Sequence, residues 1–121
     1  MKYEILLAED DDSIRLVLNK ALSRAGHNVK ATDNPETLKK WALSGIGDII
    51  LTDVMMGGVE VFDILPEIME ARPNAPVVVI SANNTVNTAI KSGQHQVFEY
   101  IPKPFELTDV VQAIARAGQS V

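Results

Sequence analysis

The sequence predicts an α/β fold, a doubly wound, five-stranded parallel sheet with five helices. Three observations carry that reading. Short apolar runs alternate with segments of helical spacing along all 121 residues, the pattern of repeated βαβ units. The third run, Ile49-Ile50-Leu51, is continuously apolar, which suits a strand buried on both faces. No repeat, linker or low-complexity stretch interrupts the alternation, and the length suits one domain.

The elements follow in order. Ile5-Leu6-Leu7-Ala8 is the first strand, ending in the acidic run Glu9-Asp10-Asp11-Asp12. Ile14, Val17, Leu18, Ala21, Leu22 and Ala25 keep helical spacing, and Gly26 stops that helix. Residues 28–32 read as a weaker strand. Asn34-Pro35 starts the second helix, with Asn as cap and Pro in the first helical position. Leu38, Trp41 and Ala42 line its inner face, and Gly45 and Gly47 end it. The third strand covers 48–52 and runs into Asp53. Val61, Ile64, Leu65, Ile68 and Met69 mark a third helix closed by Arg72-Pro73. Pro66 falls within that pattern and is expected to shift or kink it. Residues 76–80 (Pro-Val-Val-Val-Ile) are the clearest strand, expected to be central. Residues 83–92 form a fourth helix with a thin apolar stripe, Val86, Ala89 and Ile90. Residues 97–101 form the fifth strand. Leu107, Val110, Val111, Ile114 and Ala115 mark the last helix.

Composition excludes several functions. The net charge of −5 argues against direct nucleic-acid binding, because phosphate backbones demand clustered Lys and Arg. No apolar run is long enough to cross a bilayer, and Met1-Lys2-Tyr3-Glu4 does not read as a secretory signal. The absence of cysteine excludes a disulfide framework or a thiolate metal site. A cytoplasmic location fits.

A parallel sheet brings its strand ends to one rim, where open α/β sheets place their ligands. The ends carry Glu9-Asp10, Asp53, Ser81-Ala82 and Pro102-Lys103-Pro104. Read singly, each is bland. Asp53 could cap a turn, Asp11 and Asp12 could cap a helix, Ser81 could be a turn hydroxyl and Lys103 a surface lysine. Read together they suit one phosphoryl group. Crowded carboxylates need a proton, a partner or a cation. An oxygen-only set suits Mg²⁺, and an aspartate can act as nucleophile. Lysine supplies a point charge, and serine can donate to a phosphoryl oxygen. The prolines around Lys103 suggest a cis bond.

These residues, in this order, resemble the receiver domains of two-component response regulators. The resemblance covers essentially the whole chain, 1–121. The helical stretch 14–26, Phe62-Asp63-Ile64-Leu65-Pro66 and Tyr100-Ile101-Pro102-Lys103-Pro104-Phe105 are most similar to receivers of the nitrogen regulation protein C type.

The resemblance implies a flavodoxin-like strand order, 2-1-3-4-5. It implies that Asp53 accepts a phosphoryl group from the phosphohistidine of a sensor histidine kinase. Asp10, Asp53 and the Met55 backbone carbonyl would bind Mg²⁺, with Glu9 acting through water. Lys103 would pair with phosphoryl oxygens, Ser81 would move to the phosphate, and Tyr100 would swing inward with it. The module would be a switch, catalysing only its own phosphoryl transfer and slow dephosphorylation. Its output would be transcription control through domains beyond this segment. A homodimer through helix four, strand five and helix five is expected on phosphorylation.

The chain also departs from the family pattern. Met56 is followed by Gly57-Gly58 where the family has proline, Glu60-Val61 replaces Asp-Gly, and Gln96-Val97 replaces Gly-Ala. The glycines predict a flexible loop, and Val97 is expected to alter packing near Ser81 and Tyr100. The residues that tune dephosphorylation would be Met55 and Asn83. Methionine cannot orient water well, so a long-lived phosphoryl group is expected. Met55 and Met56 otherwise read as plain loop residues, Trp41 as core, and His27 and His95 as loop residues away from the rim.

Three rivals compete with this reading. An Asp-nucleophile phosphatase would need a second Asp where Met55 stands. A flavin-binding module would need a phosphate loop in place of the first acidic run. A degenerate receiver would bind partners without phosphorylation, and the altered loop keeps that alternative open.

Overall fold

The computed structural model describes residues 2–82 and 96–121. In chain order these form β1 (Glu4–Ala8), α1 (Asp12–Arg24), β2 (Asn28–Thr32), α2 (Pro35–Leu43) and β3 (Ile49–Asp53). A short hairpin and a single 3₁₀ turn (Val61–Asp63) lead to α3 (Leu65–Ala71), β4 (Val77–Ser81), β5 (Glu99–Pro102) and a C-terminal helix (Leu107–Gly118). The five long strands make one sheet in the order β2-β1-β3-β4-β5, with every neighbouring pair parallel. The predicted fourth helix, together with Asn83 and His95, lies outside the described residues.

Two apolar layers enclose the sheet, set by the alternation of side chains along each strand. Ile5, Leu7, Ile49, Leu51, Val78 and Ile80 join Leu18, Leu22, Val110 and Ile114 on the face covered by α1 and the C-terminal helix. Leu6, Ala8, Ile50, Val77 and Val79 join Leu38, Ala42, Leu65 and Ile68 beneath α2 and α3. Every residue of β4 is buried, which matches its β-branched sequence and central place.

Helix starts follow their caps. The Asp11 carboxylate accepts the Ile14 N–H at 2.9 Å. The Asn34 side chain accepts the Glu36 and Thr37 N–H groups at 2.8 and 3.3 Å, just ahead of Pro35. Pro66 shifts the start of the helix, as expected, and does not kink it. It lies in the first turn of α3, where a missing N–H costs nothing, and the preceding apolar residue Val61 belongs to the separate 3₁₀ turn.

The helical stripes need other corrections. Val17 on α1 is exposed while Leu18 and Leu22 are buried. In the C-terminal helix Leu107 and Ala115 face outward, and the buried stripe is Val110, Ala113, Ile114 and Ala117. Trp41 is half-buried, packed on the α2–α3 layer with the Lys30 ammonium 4.5 Å from its ring centroid. Val97 packs on the same layer. It precedes β5, at the end of the strand remote from the Ser81–Pro102 pairing, so it does not crowd Ser81.

The segment after β3 is not a loose loop. Met55–Met56 pairs antiparallel with Val59–Glu60, Met55 opposite Glu60 and Met56 opposite Val59. Gly57 and Gly58 have φ of 54° and 77°. Positive φ at both central residues is the mark of a type I′ turn, whose twist suits a two-residue hairpin. Met56 is 1% exposed and belongs to the core, not to a loop.

Candidate functional site

Strand register assembles the rim. Ala8 pairs with Thr52, so Glu9 comes level with Asp53. Asp53 pairs with Ile80 and Ser81 with Pro102, so Ser81 and Lys103 follow at the same sheet edge. Residues up to 94 positions apart in sequence thereby meet.

Glu9, Asp10 and Asp53 each offer a carboxylate oxygen, all within 4.8 Å of one another. The Lys103 ammonium donates to Asp53 Oδ2 at 3.1 Å and to Glu9 Oε1 at 3.4 Å. The other Asp53 oxygen, Oδ1, accepts the Val54 N–H at 2.8 Å. Asp10 is exposed, Asp53 half-buried and Glu9 fully buried. Burial, with Asp53 alongside, pushes the Glu9 carboxyl up to about 7, against the pull of the Asp11 N–H and Lys103. Burial alone would lower the Lys103 ammonium, but its bonds to Asp53 and Glu9 outweigh this and hold it above its ordinary value.

Lys103 is tied to the sheet by its own backbone, since its N–H donates to the Ser81 carbonyl at 3.0 Å. The Lys103–Pro104 bond is cis, as its prolines suggested. Ser81 ends β4 and is 2% exposed. Tyr100 lies two residues before Pro102, paired with Val79, and is half-buried. With Glu99, Pro104, Gln112 and Arg116 it lines a groove of about 250 Å³ between β5 and the C-terminal helix. Met55 is 50% exposed, two residues after Asp53. Asn83 is outside the described residues.

Arg15 is a further residue of the rim. Its guanidinium donates to the Glu9 carbonyl at 2.9 Å and to Asp12 at 2.6 Å, and so ties the β1–α1 turn that presents Glu9 and Asp10. An (i, i+3) Asp–Arg spacing at a helix start is a signal for the Asp12 contact, but nothing in the sequence announces the bond to the Glu9 carbonyl. His27 lies at the opposite edge, between α1 and β2, as expected. It is buried, stacked on Tyr3 at 5.5 Å, and accepts the Tyr3 N–H at 3.1 Å.

The donor set fits a hard divalent cation. All its groups are oxygens, and Mg²⁺ is commonly held by one or two carboxylates with waters and phosphate oxygens. A single lysine leaves three clustered carboxylates under-neutralised, and a cation would relieve their repulsion.

Known proteins place this architecture. The family model of the response regulator receiver domain matches residues 5–115. The DNA-binding transcriptional regulator NtrC of Rhizobium meliloti is 51% identical over 113 residues, 93% of this chain and 23% of that protein. NtrC of Azospirillum brasilense is 46% identical over 116 residues, 96% of this chain and 24% of that protein. This chain thus spans about a quarter of the length of these relatives. The solution structure of the apo receiver domain of nitrogen regulatory protein C superposes with a TM-score of 0.83 at 30% identity, covering 95% of this chain and 93% of that one. No helix among the described residues is long and apolar enough to cross a membrane. Sheet order, carboxylate cluster and family match agree, and the chain belongs to the response regulator receiver domain family, with receivers of NtrC type among its relatives.

Proposed function

We propose that this chain is a phosphoacceptor switch in which Asp53 receives a phosphoryl group from a sensor histidine kinase. The observation that carries the reading is the Lys103 ammonium shared between Asp53 and Glu9 beside the Glu9–Asp10–Asp53 cluster. An Asp53 carboxylate oxygen attacks the phosphorus of the kinase's phosphohistidine. The new P–O bond forms as the P–N bond breaks, and the imidazole keeps the electron pair. Lys103 then holds a phosphoryl oxygen, and the Ser81 hydroxyl turns to donate to another. Asp10, Asp53 and the Met55 carbonyl would hold Mg²⁺, and Glu9 would support it through a water. When bound, Mg²⁺ neutralises charge on the phosphoryl oxygens, which is most of what phosphoryl transfer needs.

The phosphorylated form is one of two pre-existing states, favoured because the phosphate binds it better. Tyr100 turns inward in that state, and the surface around β5 and the C-terminal helix mediates homodimer formation. Met55 and Asn83 set how fast the phosphoryl group is lost. The relatives named NtrC are transcriptional regulators, so the output is transcription, of nitrogen-related genes, through domains outside this segment, in the cytoplasm. The domain itself does not turn over external substrates and does not bind nucleic acid.

Intact-mass measurement after incubation with Mg²⁺ and acetyl phosphate tests the reading. Wild type gains one phosphoryl group and Asp53→Ala gains none. A wild type that gains nothing, with phosphorylated kinase as well, would leave a receiver that binds partners without phosphorylation.

A further inference from the structure

We infer that Gly57 and Gly58 are positioning residues for the cation site, because their turn fixes the register that keeps the Met55 carbonyl out of the hairpin ladder. The inference rests on reading Glu9, Asp10 and Asp53 as a Mg²⁺ site completed by that carbonyl.

Antiparallel pairs alternate between residues that exchange backbone hydrogen bonds and residues that do not. The phase here is fixed at both ends. Met56 and Val59 flank the two-residue turn, the place of a hydrogen-bonded pair in a type I′ hairpin. At the base, the Val61 N–H donates to the Val54 carbonyl at 2.6 Å, which makes Val54–Val61 the next hydrogen-bonded position. Met55 and Glu60 lie between these two, opposite one another. They are the non-bonded pair, and their N–H and C=O groups point away from the partner strand. The Met55 carbonyl is therefore unspent by the ladder, two residues after Asp53. Side-chain parity agrees, since Val54 and Met56 are buried and Met55 is exposed.

The turn holds this phase. Both its residues need positive φ, which side chains other than those of Gly, Asn and Asp rarely adopt. A Cβ on either glycine would meet nothing within 4 Å. Substitution there is opposed by the backbone alone, because an added Cβ touches no other part of the chain. Loss of the type I′ turn would free the short ladder to slip by one residue, which turns the residue 55 carbonyl toward the partner strand and, by the same half-rotation, carries Met56 away from the core.

The test is Mg²⁺ titration of the 121-residue chain, followed by calorimetry and by amide chemical shifts, with melting temperatures measured alongside. In Gly57→Val/Gly58→Val, Mg²⁺ affinity falls on the order of tenfold, because only the fraction of molecules keeping the turn binds at full strength. Gly57→Asn, which makes the Asn-Gly sequence preferred in type I′ turns, retains wild-type affinity. A purely structural role would lower the melting temperature of the double variant and leave its Mg²⁺ affinity unchanged, which overturns the inference. Weak binding by Gly57→Asn as well would also overturn it. Should Asp10→Asn bind Mg²⁺ as tightly as wild type, the carboxylate site fails and the inference fails with it. Should Asp10→Asn lose Mg²⁺ while the valine variant keeps it, the site stands and only the role of the glycines falls.

Discussion

The Lys103 ammonium lies 3.1 Å from Asp53 Oδ2, joining residues 50 positions apart. The same ammonium reaches Glu9, which is fully buried. One lysine therefore holds the end of β1 and the end of β3 together across the rim. Its removal would leave a buried carboxyl without its cation, a change that costs more than losing an exposed ion pair. Lys103→Met is expected to slow phosphoryl incorporation from acetyl phosphate by at least about tenfold, the effect of losing one charge-assisted contact. Mass spectrometry against time checks this; an unchanged rate would remove Lys103 from the reaction.

Three carboxylates around a single lysine store repulsion. Asp10→Asn is expected to raise the melting temperature in Mg²⁺-free buffer, because it removes one exposed charge from the cluster. Added Mg²⁺ at ten times its dissociation constant should stabilise wild type by about 1.4 kcal/mol and should leave the variant nearly unchanged. Thermal melts with and without Mg²⁺ decide it. A variant less stable than wild type without Mg²⁺ contradicts the repulsion argument.

Met55 is exposed, two residues after Asp53, the proposed acceptor, and a thioether cannot orient a hydrolytic water as an amide can. Met55→Asn is expected to shorten the lifetime of the phosphorylated chain several-fold. Following decay of the phosphorylated mass checks it, and an unchanged or slower decay counts against the role. Because the hairpin fixes the backbone at this position, the comparison isolates the side chain.

His27 accepts the Tyr3 N–H at Nδ1, so the ring is unprotonated there. Burial, and secondarily the positive amino terminus, hold its pKa below 6.5. The unfolded state then binds the proton more readily, and stability rises with pH. The contribution is present above pH 6.5 and is lost as pH falls through the lowered folded value. Wild type should lose more melting temperature than His27→Gln between pH 7 and about pH 5. Parallel curves would show that this ring does not set the dependence.

Arg72 donates to the carbonyls of Ala42 at 3.0 Å, of Ile46 at 3.1 Å, and of Gly47. It clamps the end of α2 and the loop into β3 onto the end of α3. Arg72→Ala should cost about 2 kcal/mol by leaving the partly buried Ala42 and Gly47 carbonyls, and the exposed Ile46 carbonyl, without their donor, and lysine should restore only part because it lacks the planar fork. Urea unfolding measures both. A loss within about 0.5 kcal/mol, typical of an ordinary surface change, would make the clamp incidental.

Much of this protein is determined by sequence alone. Apolar runs alternating with helical spacing specify the parallel sheet, because strand and helix periods differ. The Asn34-Pro35 start and the stop at Gly26 hold because capping acts within a few residues. The carboxylates, Ser81 and Lys103 are legible as a set because parallel strands all end at one rim. Tertiary structure decides what depends on neighbours distant in the chain. Helical spacing gives residues that share a face without saying how far the neighbouring layer reaches, so Val17 and Leu107 are exposed while Ala113 and Ala117 are buried. Gly57-Gly58 reads as freedom in sequence and is a fixed turn in the fold, because Met56 is drawn into the core and Val61 bonds to Val54. Glu9 reads as one acid of four, and only the packing of β1 against β3 buries it against Asp53 and Lys103. Local propensity selects the elements, and desolvation and register, both properties of the assembled sheet, select the chemistry at its edge.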